Sequence, residues 1–184
     1  MTRTASTWRV VLVGFMGAGK TTTGLALAQR LGWMFHDLDD LIEHRSGKSV
    51  SQIFASSGEA AFRQMESAAL RTLLQDGASS GGLIVALGGG AFVQPENRAA
   101  LEQAGAITVL LEAPLSELRR RCGSDSKERP LAKQAERFDQ LFEERRAAYE
   151  PAQFKVDTLG KAADEVAAEI EQLVKAVQNA EVRK

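Results

Sequence analysis

The sequence predicts a three-layer α/β fold, a five-stranded parallel sheet flanked by helices. Three observations predict it. Five short apolar runs lack polar alternation, as strands covered on both faces do. Longer stretches of helical period separate them, the order that builds a parallel sheet through crossover helices. A glycine-rich turn joins the first run to the first helical stretch.

The first strand is Trp8–Val13. Arg3 and Arg9 precede its apolar core as they would in a signal peptide, but glycines rather than a small-residue cleavage site follow, so it reads as a buried strand. Lys20–Leu31 is the first helix, closed by Gly32 as a C-cap signal. The strand Trp33–His36 leads to Leu41–Gly77, too long for one helix and expected to break at Gly47 and Gly58. Strand Leu83–Leu87 runs into Gly88-Gly89-Gly90, and Glu96–Ala104 is the next helix. After strand Ile107–Leu111, Pro114 sits where helix Leu115–Arg121 begins. Gly123 to Pro130 is polar with almost no apolar anchor and is expected to be mobile. Helix Ala135–Tyr149 and strand Phe154–Val156 follow. The last helix, Ala162–Val177, carries Ala163, Val166, Ala167, Ile170, Leu173, Val174 and Val177 on one face, expected to pack on the sheet. The polar tail from Asn179 is expected to fray.

At 184 residues the chain is long enough for one domain, 1–184, with a core that needs no disulfide. Lys plus Arg is 23 against 24 for Asp plus Glu, so the basic excess that draws a protein to nucleic acid is missing. The single cysteine, Cys122, excludes an internal disulfide framework and fits a reducing cytosol. The apolar run ending at Met16 is broken by Gly14 and too short to span a bilayer. A cytoplasmic monomer with neither nucleic-acid nor membrane partners is the expectation.

Gly14-Phe15-Met16-Gly17-Ala18-Gly19-Lys20-Thr21 matches G-x-x-x-x-G-K-[ST], the Walker A loop. Its glycines let backbone N–H groups wrap phosphate oxygens, and the following helix adds its positive N-terminal end. Lys20 can reach the terminal phosphates and Thr21 can ligate Mg²⁺. The strand that often supplies a metal-side Asp ends here in three glycines, which leaves Asp37 and Asp39 at the carboxyl end of the second strand as candidates. One of them can reach a Mg²⁺-bound water while the other hydrogen-bonds an acceptor hydroxyl and takes its proton. Asp37 to Asp40 equally suit a helix cap.

Arg63 and Glu66 are three apart on a helix, so Glu66 can hold the guanidinium for bidentate capture of a carboxylate or phosphate. A solvated surface pair is the plainer reading. Gly88-Gly89-Gly90 marks either a close approach of backbone to ligand or a flexible turn.

In this order the residues resemble the shikimate kinase family over roughly the first 160 positions. Phe35-His36-Asp37-Leu38-Asp39 is similar to its D-x-D signature, followed by Ile42-Glu43, Gly47, Ile53-Phe54, Gly58-Glu59 and Phe62-Arg63-x-x-Glu66. The triple glycine, Asn97-Arg98, Arg129-Pro130-Leu131 and Glu144-Arg145-x-x-x-Tyr149 complete the set. The resemblance implies a P-loop kinase of the nucleoside-monophosphate-kinase type, with strand order 2-3-1-4-5 and a mobile lid at about 122–134. It implies ATP-dependent phosphorylation of the shikimate 3-hydroxyl, with Mg²⁺ as cofactor, on the route to chorismate and the aromatic amino acids. By resemblance, Gly17, Ala18, Gly19, Lys20, Thr21 and Thr22 bind ATP, Arg121 lies on the adenine side, and Arg129 reaches the transferring phosphate from the lid. Asp37 organises Mg²⁺ through water while Thr21 binds it directly. Asp39 binds the shikimate hydroxyls and acts as base, Arg63 and Arg145 hold its carboxylate, and Gly88, Gly89 and Gly90 contact the ring hydroxyls within an acceptor region of about 37–77 and the glycine turn.

Two other readings stay open on the residues alone. One is another small-molecule kinase of this architecture, acting on gluconate or a nucleotide. The other is a nucleotide-binding regulator without transfer activity, against which the intact set Lys20, Thr21, Asp37, Asp39 and Arg129 argues.

Overall fold

The computed structural model describes residues 8–76, 81–124 and 135–183. Five strands, β1 (Trp8–Val13), β2 (Met34–Asp37), β3 (Gly82–Ala86), β4 (Ile107–Glu112) and β5 (Phe154–Asp157), form one sheet in the order β2-β3-β1-β4-β5. Every pairing is parallel, with Val10 opposite both Ile84 of β3 and Ile107 of β4. This is the predicted topology. Its cause is visible in burial: Val10 to Val13 and Leu83 to Ala86 are buried without alternation, which only a sheet covered on both faces accommodates.

The helices are α1 (Lys20–Leu31), α2 (Leu38–Ser46), α3 (Val50–Asp76), α4 (Pro95–Gln103), α5 (Leu115–Ser124), α6 (Ala135–Tyr149) and α7 (Ala163–Val182). α1 lies close on β2 because Gly24 has no side chain: a Cβ there would sit 2.2 Å from the Phe35 ring. The long helical stretch divides at both expected glycines. Gly47 ends α2 and returns its N–H to Glu43 O, whereas Gly58, at φ 80° and ψ 171°, kinks α3 into two helical parts. A residue with a Cβ resists that backbone geometry, so the kink is set by sequence.

Several boundaries differ from expectation. β2 begins one residue later and extends to Asp37, and α2 starts at once at Leu38 rather than at Leu41. The physical reason is Asp37 itself, whose side chain accepts the Asp39 N–H at 3.0 Å and starts the helix three residues early. α7 continues through Val182 where fraying from Asn179 was expected. Its apolar face also packs chiefly on α1, with a smaller contact to β5, rather than broadly on the sheet. Among the described residues no helix is long and apolar enough to cross a membrane.

Candidate active site

The shape of the Walker loop is held by its contacts with α5 and α6. Gly17 stands at φ 81°, and a Cβ there would meet Leu118 O at 2.7 Å and Cys122 Sγ at 2.9 Å, so loop and α5 touch through a bare backbone. Phe15 is buried between Phe138 and Phe142, whose rings it meets edge-on at 5.1 and 5.3 Å, and this ties the loop to α6. Lys20 Nζ donates to Gly14 O at 2.9 Å and Phe15 O at 3.0 Å, which folds the ammonium over the mouth of the loop.

Two cavities meet at the carboxyl edge of the sheet. The first, of about 380 Å³, is lined by Gly17, Gly19, Lys20, Thr21, Thr22 and Arg121. The second, of about 270 Å³, is lined by Phe54, Phe62, Arg63, Glu66, Gly90 and Arg145 among others. Thr21, Asp37, Asp39, Gly88 and Gly89 line both and form the boundary between them. The sequence-predicted phosphate residues Gly17, Gly19, Lys20, Thr21, Thr22 and Arg121 thus gather in one cavity and the predicted acceptor residues in its neighbour, whereas Ala18 is buried and lines a third cavity instead. Arg129, with the rest of the segment 125–134 expected to form a lid, lies outside the described residues.

At the boundary, Thr21 Oγ1 donates to Asp37 Oδ2 at 2.6 Å while Asp37 Oδ1 caps α2. Asp37 therefore does cap the helix, with one oxygen, while its other oxygen faces Thr21 of the phosphate loop. Among the described residues there is no cluster of three or more His, Cys, Asp or Glu able to cage a metal. The donors present are hard oxygens, one hydroxyl and neighbouring carboxylates beside a phosphate loop. That set suits a Mg²⁺ ion, which keeps several waters and binds through one or two carboxylates plus substrate phosphates.

In the second cavity Arg63 is gripped from several sides. Nη1 donates to Glu66 Oε2 at 2.9 Å and Nη2 to Glu59 Oε1 at 3.1 Å, and the guanidinium lies 5.3 Å from the Phe62 ring centroid. This is not the solvated surface pair of the plainer reading, because Glu66 is completely buried. Burial pushes its carboxyl up to about 7; Arg63 pulls the other way and nearby Asp39 adds to the rise. Among the described residues, Glu66 Oε1 has no hydrogen-bond partner.

The triple glycine is a close approach and not a loose turn. A Cβ on Gly88 would lie 2.6 Å from Asp39 Oδ1 and 2.9 Å from Glu66 Oε1, and one on Gly90 within 2.4 Å of the Arg63 guanidinium. Asn97 Nδ2 donates to Ala91 O at 2.9 Å, and Arg98 Nη1 to Phe92 O and Val93 O, both at 2.9 Å. From α6, Tyr149 Oη donates to Gly89 O at 2.5 Å. Asn97, Arg98 and Tyr149 were visible in sequence only as motif positions without a task; their partners are backbone carbonyls, which no residue pattern reveals.

Arg121 sits on the loop side of the first cavity. It donates to Thr158 Oγ1 and Thr158 O, both at 2.9 Å, and to Glu117 Oε1 at 2.7 Å. Hydrogen bonds from Arg120 and Arg121 bring the Glu117 carboxyl down to about 2. Thr158 was missed in sequence. Its position just past β5, at the carboxyl edge of a parallel sheet, was the available signal.

Comparison with known proteins places this arrangement. The shikimate kinase family model matches residues 16–175. A curated shikimate kinase from Geobacter sulfurreducens is 44% identical over 172 residues, covering 90% of each chain. Among solved structures, shikimate kinase from Acinetobacter baumannii in complex with shikimate is similar at a TM-score of 0.82 and 36% identity, covering 93% of this chain and 94% of that one. A gluconokinase from Sinorhizobium meliloti has a TM-score of 0.58 at 16% identity, covering 97% and 98%, a likeness of fold alone.

Proposed function

The chain belongs to the shikimate kinase family and is an ATP-dependent kinase, and we propose that it transfers the γ-phosphate of ATP to the 3-hydroxyl of shikimate, on the route to chorismate and the aromatic amino acids. The observation that carries this reading is the pair of cavities meeting at Thr21, Asp37, Asp39, Gly88 and Gly89, with a phosphate loop on one side and two guanidiniums on the other.

Phosphoryl transfer asks a protein chiefly for positioning and charge neutralisation. The loop from Gly17 to Thr22 wraps the phosphates with backbone N–H groups, and Lys20 exchanges its carbonyl partners for phosphate oxygens. Thr21 directly, and Asp37 through water, would hold Mg²⁺, which when bound would supply positive charge beside the phosphates. Asp39, in the first turn of α2, accepts the hydrogen bond of the acceptor hydroxyl and takes its proton. Arg63 and Arg145 hold the shikimate carboxylate across the cavity, while the Gly88–Gly90 backbone runs beside the ring hydroxyls. Arg121 serves the adenine side through its anchor on Thr158. The motif assigns Arg129 to the transferring phosphate and the segment 122–134 to a lid, with 37–77 as the acceptor region. The near-neutral charge fits a cytoplasmic monomer with small-molecule partners only.

A coupled ADP-release assay with Mg-ATP tests the reading, with shikimate, gluconate, a nucleoside monophosphate and no acceptor compared side by side. Shikimate-dependent ADP release, with the mass of shikimate 3-phosphate in the product, is expected. Release with gluconate or the nucleotide instead would keep the phosphate site and overturn the acceptor.

A further inference from the structure

Tyr149 has a place in the acceptor site that its motif position does not disclose. It lies at the end of α6, one helical turn after Arg145, and is 4% exposed. Its hydroxyl donates to Gly89 O at 2.5 Å. The Arg145 guanidinium lies beside the same hydroxyl, and its positive charge works against the effect of burial on the phenol. Seen from Gly89, a Cβ would lie 3.2 Å from Arg145 Nη1 and 3.7 Å from Tyr149 Oη, so the three groups form one junction.

The peptide that carries the Gly89 carbonyl also carries the Gly90 N–H. In a trans peptide these point in opposite directions. Anchoring the carbonyl on Tyr149 therefore turns the Gly90 N–H away from α6. Gly90 is the residue against which the Arg63 guanidinium lies, within 2.4 Å of where a Cβ would be. The Gly89–Gly90 peptide is thus the partition between Arg145 and Arg63, and Tyr149 is the only side chain among the described residues that donates to its carbonyl.

We propose that Tyr149 is a positioning residue for the acceptor carboxylate: its hydroxyl, bonded to Gly89 and set beside Arg145, fixes the spacing of the two arginines that grip the anion. This rests on the proposed carboxylate role of Arg145. Burial holds the phenol at about 12, so it stays a donor throughout the working pH range.

The test uses Tyr149→Phe, which keeps the ring and removes the hydroxyl. The KM for shikimate should rise about tenfold, the effect of one lost hydrogen bond at a charged site, while the KM for ATP stays within about twofold. An acceptor analogue bearing hydroxymethyl in place of the carboxylate should respond little to the change. In an Arg145→Ala background the same substitution should have less effect than in the parent, because the two act on one anion. Gly89→Ala, which crowds Arg145 from the loop side at a position of ordinary φ, should give the same split between the two KM values and serves if the Phe variant folds poorly. If Arg145→Ala leaves the shikimate KM unchanged, the carboxylate reading of Arg145 itself fails. If Arg145→Ala raises it while Tyr149→Phe leaves it unchanged, or moves both KM values together with the melting temperature, the positioning role is overturned.

Discussion

Thr21 and Asp37, 16 residues apart in sequence, share a hydrogen bond of 2.6 Å from Oγ1 to Oδ2. It joins the start of α1 to the end of β2, and so ties the phosphate loop to the first residue of the proposed acceptor region. The second Asp37 oxygen starts α2 and thereby places Asp39 in its first turn.

Asp37→Asn separates the two tasks. An amide oxygen still caps the helix, so the melting temperature should change little. The anionic oxygen facing Thr21 is lost, and kcat should fall about 100- to 1000-fold, the range seen when one preorganised electrostatic group is removed. Steady-state ADP release and a thermal melt on the same preparation check both halves. Full activity in this variant would return Asp37 to capping alone.

Gly90→Ala should act on the acceptor and spare the nucleotide. The new methyl group meets the flexible end of Arg63, which can move aside without unfolding the chain. The displaced guanidinium then misses the shikimate carboxylate, and the KM for shikimate should rise about 10- to 100-fold, as expected for a lost charge-assisted hydrogen bond. An unchanged shikimate KM would show that Arg63 is not held by Gly90.

Gly17→Ala meets rigid atoms instead. The Cβ would fall 2.7 Å from the Leu118 carbonyl, and φ of 81° strains any side chain. The melting temperature should drop by several degrees, for a cost of about 1–3 kcal/mol. The KM for ATP should rise with it, because the loop can relax only by leaving its phosphate-binding shape. Calorimetry together with ATP titration would expose a neutral substitution.

Glu66 gives stability a pH slope. Burial raises its carboxyl from the ordinary 4.5 to about 7, so across that window the folded chain holds a proton that the unfolded chain has released. The unfolded state then binds fewer protons, and this contribution to stability falls as pH rises from about 4.5 to about 7 and levels off above. Glu66→Gln should flatten this part of the profile, read as urea midpoints at pH 5 and pH 8. A slope equal to the parent's in the variant would assign it to other groups.

Much of the fold was legible because strands buried on both faces have no polar alternation to confuse with helix, and because glycine punctuates the chain at Gly32, Gly47 and Gly58. The phosphate loop was legible for a related reason: its residues are consecutive, from Gly14 to Thr22, and local sequence dictates local shape. The acceptor half was harder. Arg63 and Glu66 are one turn apart, but whether that pair is solvated or buried depends on β3 and the glycine turn packing over it. The early start of α2 was missed because a single Asp side chain outweighed the apolar period that pointed to Leu41.

The sequence by itself determined the parallel five-stranded sheet and the phosphate loop, since periodicity and contiguous motifs follow from backbone sterics and burial. The tertiary structure alone decided which remote groups meet: Thr21 with Asp37, Arg121 with Thr158, Gly90 with Arg63, and Tyr149 with the Gly89 carbonyl. Those meetings depend on how the crossovers fold the carboxyl ends of separate strands together. They pair side chains with backbone atoms or with residues far along the chain, and no local pattern encodes that distance.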